Sequence, residues 1–110
     1  MAYDEELAGR IRELIGEEPG LREQKMFGGL AFLVGGNMAI AASEGGGILV
    51  RVNPDEADGL VELTGATVME MRGRSMRGWL RIPSDDVTTD AKLAPWVERG
   101  TSYARSLPHK

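Results

Sequence analysis

The sequence predicts an α+β domain with helices on one face of an antiparallel sheet, in the order helix, four strands, helix, two strands, helix. Three observations predict it. Leu7, Ile11, Leu14 and Ile15 recur at a helical period near the start of the chain. From Gln24 to Val52, apolar runs of about five residues alternate with Gly-containing turns, the pattern of hairpins in a meander. The helical period returns after Asn53, gives way to a strand pattern over Thr67 to Ile82, and returns again from about Asp90.

Each element has its own justification. Asp4 can cap the first helix, and Glu5 and Glu6 sit where the helix dipole favours acid. Gly16 suits a left-handed stop, and Arg10, Arg12 and Glu13 mark a face turned to solvent. The strands are expected over Gln24–Phe27, Leu30–Val34, Met38–Ala42 and Ile48–Val52. Asn53 then caps a helix with Pro54 at its first position, Ala57, Leu60 and Val61 inward, and Gly65 at its end. In the final strand pair, Thr67 to Met71 leads into Met76 to Ile82. Strict alternation there places Met76, Gly78, Leu80 and Ile82 on one face and Arg77, Trp79 and Arg81 on the other. The last helix carries Leu93, Trp96, Val97, Gly100, Ala104 and Leu107. Asp90 is a candidate cap, and Pro95 moves the expected regular start to Pro95 itself.

Composition narrows the chemistry. The 110 residues include 15 Gly, no Cys and one His, and 13 Lys+Arg against 17 Asp+Glu give a formal net charge of -4. Without cysteine there is no disulfide framework, thiol nucleophile or Cys-based zinc site. The single His109 is the second-last residue, a poor place for a catalytic base. No metal site and no cofactor is expected, and neither a phosphate-loop motif nor a dinucleotide fingerprint occurs. No run approaches the ~18 apolar residues of a membrane span, and the acidic start lacks the form of a secretory signal. A cytoplasmic protein without enzymatic activity is the expectation. A hydrolase or transferase would need Asp85, Asp86 or Glu70 brought to Ser75 in a pocket.

Two segments stand out as candidate sites. Arg72, Arg74, Arg77 and Arg81 occur without an acid between them, with Trp79 on the same strand, in a chain of acidic pI. Arginine forks match phosphate and carboxylate, so this hairpin can contact a phosphorylated ligand or nucleic acid. It can equally pair with the acidic helices or blunt an exposed hairpin. The segment Met26-Phe27-Gly28-Gly29 is the second candidate, for interaction or simply for turn geometry. Met26, Met38, Met69, Met71 and Met76 all fall in expected strands, where methionine fills irregular cores or serves adaptable partner faces, including a homodimer face.

With these residues in view, the chain resembles the TfoX/Sxy family N-terminal domain. The likeness rests on Lys25-Met26-Phe27-Gly28-Gly29-Leu30-Ala31-Phe32, Asn37-Met38-Ala39, the strand Ile48 to Val52, Met71-Arg72-Gly73-Arg74-Ser75-Met76-Arg77-Gly78-Trp79, and the end from Trp96-Val97 to Tyr103-Ala104-Arg105-Ser106-Leu107-Pro108. It covers essentially the whole chain, read as one domain over 1–110. The resemblance implies a two-layer α/β sandwich similar to secretion-chaperone-like folds. It also implies a transcriptional or competence-type co-regulator that works through protein partners, with no active-site motif to carry over. The longer regulators have a second C-terminal domain for which 110 residues leave no room, so a DNA-uptake role is not expected to transfer.

Overall fold

A computed structural model describes residues 3–26, 28–43, 46–64, 66–71 and 73–108, with Met71 and Arg77 described by backbone alone. The elements run α1 (Glu5–Ile15), β1 (Leu21–Met26), β2 (Gly29–Val34), β3 (Asn37–Ala42), β4 (Ile48–Arg51), α2 (Pro54–Leu63), β5 (Thr67–Met71), β6 (Arg74–Ile82), a 3-10 turn at Ser84–Val87, and α3 (Asp90–Ser106). The strands form one antiparallel sheet in the order β1-β2-β3-β4-β6-β5. This is the α+β, two-layer arrangement expected from the sequence.

The caps follow local chemistry. The Asp4 carboxylate accepts from the amides of Glu6 and Leu7 at 3.0 and 3.2 Å, and Asn53 accepts from Asp55 at 2.9 Å. These bonds satisfy amide donors that a helix start leaves without partners. The last helix departs from expectation. It begins at Asp90, with Thr89 as its cap accepting from the Lys92 amide at 3.3 Å, and Pro95 lies inside it. Asp90 is occupied elsewhere, accepting from Arg10 Nε at 3.0 Å. The helix tolerates Pro95 because packing of Leu93, Trp96 and Val97 into the core outweighs one missing backbone bond. The expected first strand also shifts, to Leu21–Met26. Phe27 and the proposed stop at Gly65 lie outside the described residues.

The helices cover one sheet face. Leu7, Ile11, Leu60, Leu93, Trp96 and Val97 meet Phe32, Ile40, Val50, Leu80 and Ile82 in a single apolar core. A bulge shapes that contact. Phe32 opposes Ile40 while Leu33 opposes Met38, so Ala39 is the extra residue on β3, and both Ala39 and Ile40 turn toward the helices. The absence of a side chain at Gly100 lets α3 lie against the Ala39 carbonyl: a Cβ there would collide with that oxygen and come within 3.0 Å of its carbon.

A second irregularity corrects the expected faces of β6. Val68 opposes Leu80 but Met69 opposes Met76, so residues 77–79 on β6 have no counterpart on β5. Gly78 makes this possible with φ of 89°, and its carbonyl accepts from the Val52 amide at 2.7 Å. The alternation therefore changes phase. Leu80 and Ile82 enter the helix-covered core, whereas Met76 joins Trp79 on the opposite side.

Candidate interaction face

The sheet's other face carries a second apolar cluster. Ala31, Met38, Ala41, Leu49 and Met69 are buried, and Met26, Leu33, Met76 and Trp79 pack around them half-buried. Among the described residues, no helical side chain belongs to it. Cross-strand pairing runs Gln24, Ala31, Ala41, Leu49, Arg81 and Thr67 in one row across the six strands. The row is small and apolar in the middle and polar at its ends. The alanines leave shallow space that unbranched methionine side chains can fill. The question the sequence left open about methionine is thereby divided. Met38 and Met69 are buried and Met26 and Met76 are at the margin, and among the described residues none lies in the helix-covered core.

The structure brings residues of both candidate segments onto this one face. Met26, at the end of β1, and Trp79, in β6, belong to the same cluster. Gly28 is exposed in the turn before β2. Gly29 is buried, and a Cβ on it would collide with the Ala42 carbonyl, 3.1 Å from its carbon. Gly29 thus has a packing reason for being glycine. Arg74 and Arg81 are exposed. Arg72 lies outside the described residues, and Arg77 is placed only as backbone within the bulge.

The ion pairs among the described residues lie elsewhere. They are Arg10–Asp90 at 3.0 Å, Arg12–Glu23 at 2.6 Å and Arg105–Glu18 at 2.7 Å. Arg10 corrects the expectation of a solvated polar face on α1, whereas Arg12 and Glu13 are exposed as expected. Arg10 also donates to the Val87 carbonyl at 2.9 Å, tying α1 to the turn before α3. Arg12 grips both oxygens of Glu23, on β1. This hydrogen bonding, more than the charge, holds the Glu23 carboxyl below the ordinary carboxylate range, and burial only partly opposes it. The same kind of fork raises the pKa of Arg105 beside Glu18.

Sequence reasoning missed Arg51. Its guanidinium lies over the Trp79 ring at 5.1 Å and the Tyr103 ring at 5.7 Å, joining the edge of the second cluster to α3. The signal available was the placement of Arg51 at the end of β4, but its partner strand cannot be read from periodicity. Glu70 and Ser75 do oppose one another across the β5–β6 hairpin, yet both are exposed. Asp85 lines a separate, shallow cleft of 240 Å³ with Arg10 and Thr88. A larger cleft of 340 Å³ between α2 and α3 presents Asn53, Glu56, Glu98, Arg99 and Tyr103. Among the described residues, no group of three acids or histidines could hold a metal ion, and no helix is long and apolar enough to cross a membrane.

Fold and site together define a class: a two-layer α+β domain with one helix-covered sheet face and one methionine-bearing face. The family model of the TfoX N-terminal domain matches residues 13–104, and the chain belongs to that family. No curated protein matches the chain.

Proposed function

We propose that this chain is a cytoplasmic, non-enzymatic regulatory domain that acts by protein contact, in the manner of a transcriptional or competence-type co-regulator. The observation that carries the reading is the second apolar cluster. Its margin of Met26, Leu33, Met76 and Trp79 is half-buried on a face to which no described helical side chain contributes. Methionine adapts its shape to a partner at little cost, and an apolar margin beside exposed Arg74 and Arg81 suits an apolar segment with acidic flanks. The family membership supports a regulatory role in general terms. The test is affinity capture from native lysate with the wild-type chain and with Met26→Lys and Met76→Lys. One protein retained by the wild type and released by both variants is the expected result. Identical capture by all three chains would refute the assignment to this face.

A second reading rests on Arg74 and Arg81. Both are exposed, and neither takes part in the ion pairs seen among the described residues. These side chains are available to a phosphorylated ligand or nucleic acid. Such binding would weaken steeply with salt through counterion release and fall in Arg74→Ala and Arg81→Ala. Fluorescence titration with nucleotides and oligonucleotides at low salt that shows no binding would end this reading.

A further inference from the structure

β1 ends the sheet, and among the described residues no strand pairs with its outer edge, whose sequence is self-complementary. β1 is the outermost strand beside β2, and its six residues pair with β2 without a bulge. In an antiparallel pair, residues that bond across alternate with residues whose N–H and C=O point away. The Gly35 amide donates to the Gly20 carbonyl at 3.3 Å. This sets the phase: Gly20, and by alternation Arg22, Gln24 and Met26, bond toward β2. The backbone groups of Glu23 and Lys25 therefore point out of the sheet. The outward amide of Leu21 is already taken by the Glu18 carbonyl at 3.2 Å.

A second antiparallel β1 must set outward residues against outward residues, so a two-fold axis can pass only through a residue, not between two. An axis at Glu23 sets two carboxylates face to face, and an axis at Lys25 sets two ammonium groups face to face. The lysine pair is repulsive, and the two carboxylates, each already held by its own Arg12, gain nothing from each other. An axis at Gln24 sets Glu23 against Lys25 of the second copy twice, and Arg22 against its Met26, whose apolar side chain the arginine stem can cover. Charge and hydrogen-bond phase select the same register. The pairing also brings the Met26 margins of the two second clusters to one seam.

We propose that the chain forms a two-fold homodimer by antiparallel pairing of β1, centred on Gln24, with reciprocal Glu23–Lys25 pairs. The inference goes beyond the protein-contact reading above and does not depend on it. A dimer that captures no other protein would support the one and leave the other without support.

The absence of cysteine from the sequence allows a clean test. Gln24 would lie in a non-bonded cross-strand pair, with Cα atoms about 4.5 Å apart, inside the range a disulfide spans. Gln24→Cys should therefore become a covalent dimer on mild oxidation. Arg22→Cys should not, because its two copies would stand roughly 13 Å apart along the strands. Sedimentation should show the wild type as a dimer. Lys25→Glu alone and Glu23→Lys alone should be monomers, and mixing the two should restore a dimer, now a heterodimer with every pair complementary. Lys25→Glu keeps the Arg12–Glu23 fork intact, so its loss of dimer cannot be ascribed to that fork. A monomeric wild type at the highest soluble concentration would overturn the proposal. So would a dimer that Gln24→Cys does not trap, or one that survives Lys25→Glu.

Discussion

Gly100→Ala is the sharpest test of how α3 sits on the sheet. The added methyl would collide with the Ala39 carbonyl oxygen and lie 3.0 Å from the Ala39 carbon and 3.3 Å from Val50 Cγ1. Neither side can yield cheaply. The Ala39 carbonyl is backbone held in a bulge, and Val50 is fully buried. α3 must retreat, and a gap of roughly 0.5–1 Å forfeits about a quarter to a half of each affected dispersion contact. Leu93, Trp96, Val97 and Ala104 would all share that loss. Overpacking of this kind costs about 1–3 kcal/mol and occasionally more. The helix-propensity gain of Ala over Gly offsets about 1 kcal/mol. The expected net loss is on the order of 1 kcal/mol, a fall in melting temperature of roughly 5 °C for a domain of this size. Gly9→Ala and Gly59→Ala supply the comparison, since a Cβ at either meets nothing within 4 Å. Each should raise stability by about 0.5–1 kcal/mol. The assay is urea and thermal denaturation of the three variants followed by circular dichroism. A Gly100→Ala chain as stable as the other two would refute the close-approach reasoning.

Truncating Phe32 to Ala, at the buried centre of the helix-covered face, should cost about 3–5 kcal/mol and leave little folded protein by circular dichroism. Arg74→Ala and Arg81→Ala, both exposed, should each change the unfolding free energy by less than about 0.5 kcal/mol, so any loss of binding in them reports on contact and not on folding. Glu23 makes stability depend on pH. Its folded pKa lies below the ordinary 4.5, so its contribution is present above that value and is lost as the pH falls through the folded pKa. Urea midpoints from pH 7 to pH 3 should therefore fall more in the wild type than in Glu23→Gln, and equal slopes would dismiss the effect.

The parts legible in the sequence were those set by local chemistry. Asp4 and Asn53 cap as expected because a carboxylate or amide one residue before a helix finds the same free amides in any fold. The strand segments emerged because apolar runs between turns have few other uses. The β6 faces were misjudged because the phase change at Gly78 depends on Val52, a distant neighbour whose amide its carbonyl accepts. The partners of Arg10 and Arg12 were not legible because Asp90 and Glu23 are brought to them only by the fold. The candidate site followed the same rule. Its residue types were visible, but the meeting of Met26 and Trp79 on one face required the strand order β1-β2-β3-β4-β6-β5.

That strand order also explains why the two sheet faces differ in kind. The helix-covered face takes its large residues from every layer: Phe32, Ile40, Ile48, Val50, Leu80 and, from α3, Leu93. These are rigid or branched side chains that specify one packing. The other face is built from alanine, leucine and methionine around Trp79, side chains that can repack with little strain. A face evolved only to close a core gains nothing from that adaptability and loses specificity by it. The contrast predicts that Leu49→Met, on the second face, is nearly neutral in stability, whereas Leu80→Met, in the same sheet but under the helices, is not. The first should cost less than about 0.5 kcal/mol and the second about 1 kcal/mol, near the upper range for volume-conserving swaps. Equal costs in urea unfolding would mean that both faces are packed alike, and the physical distinction between core and contact face would fail.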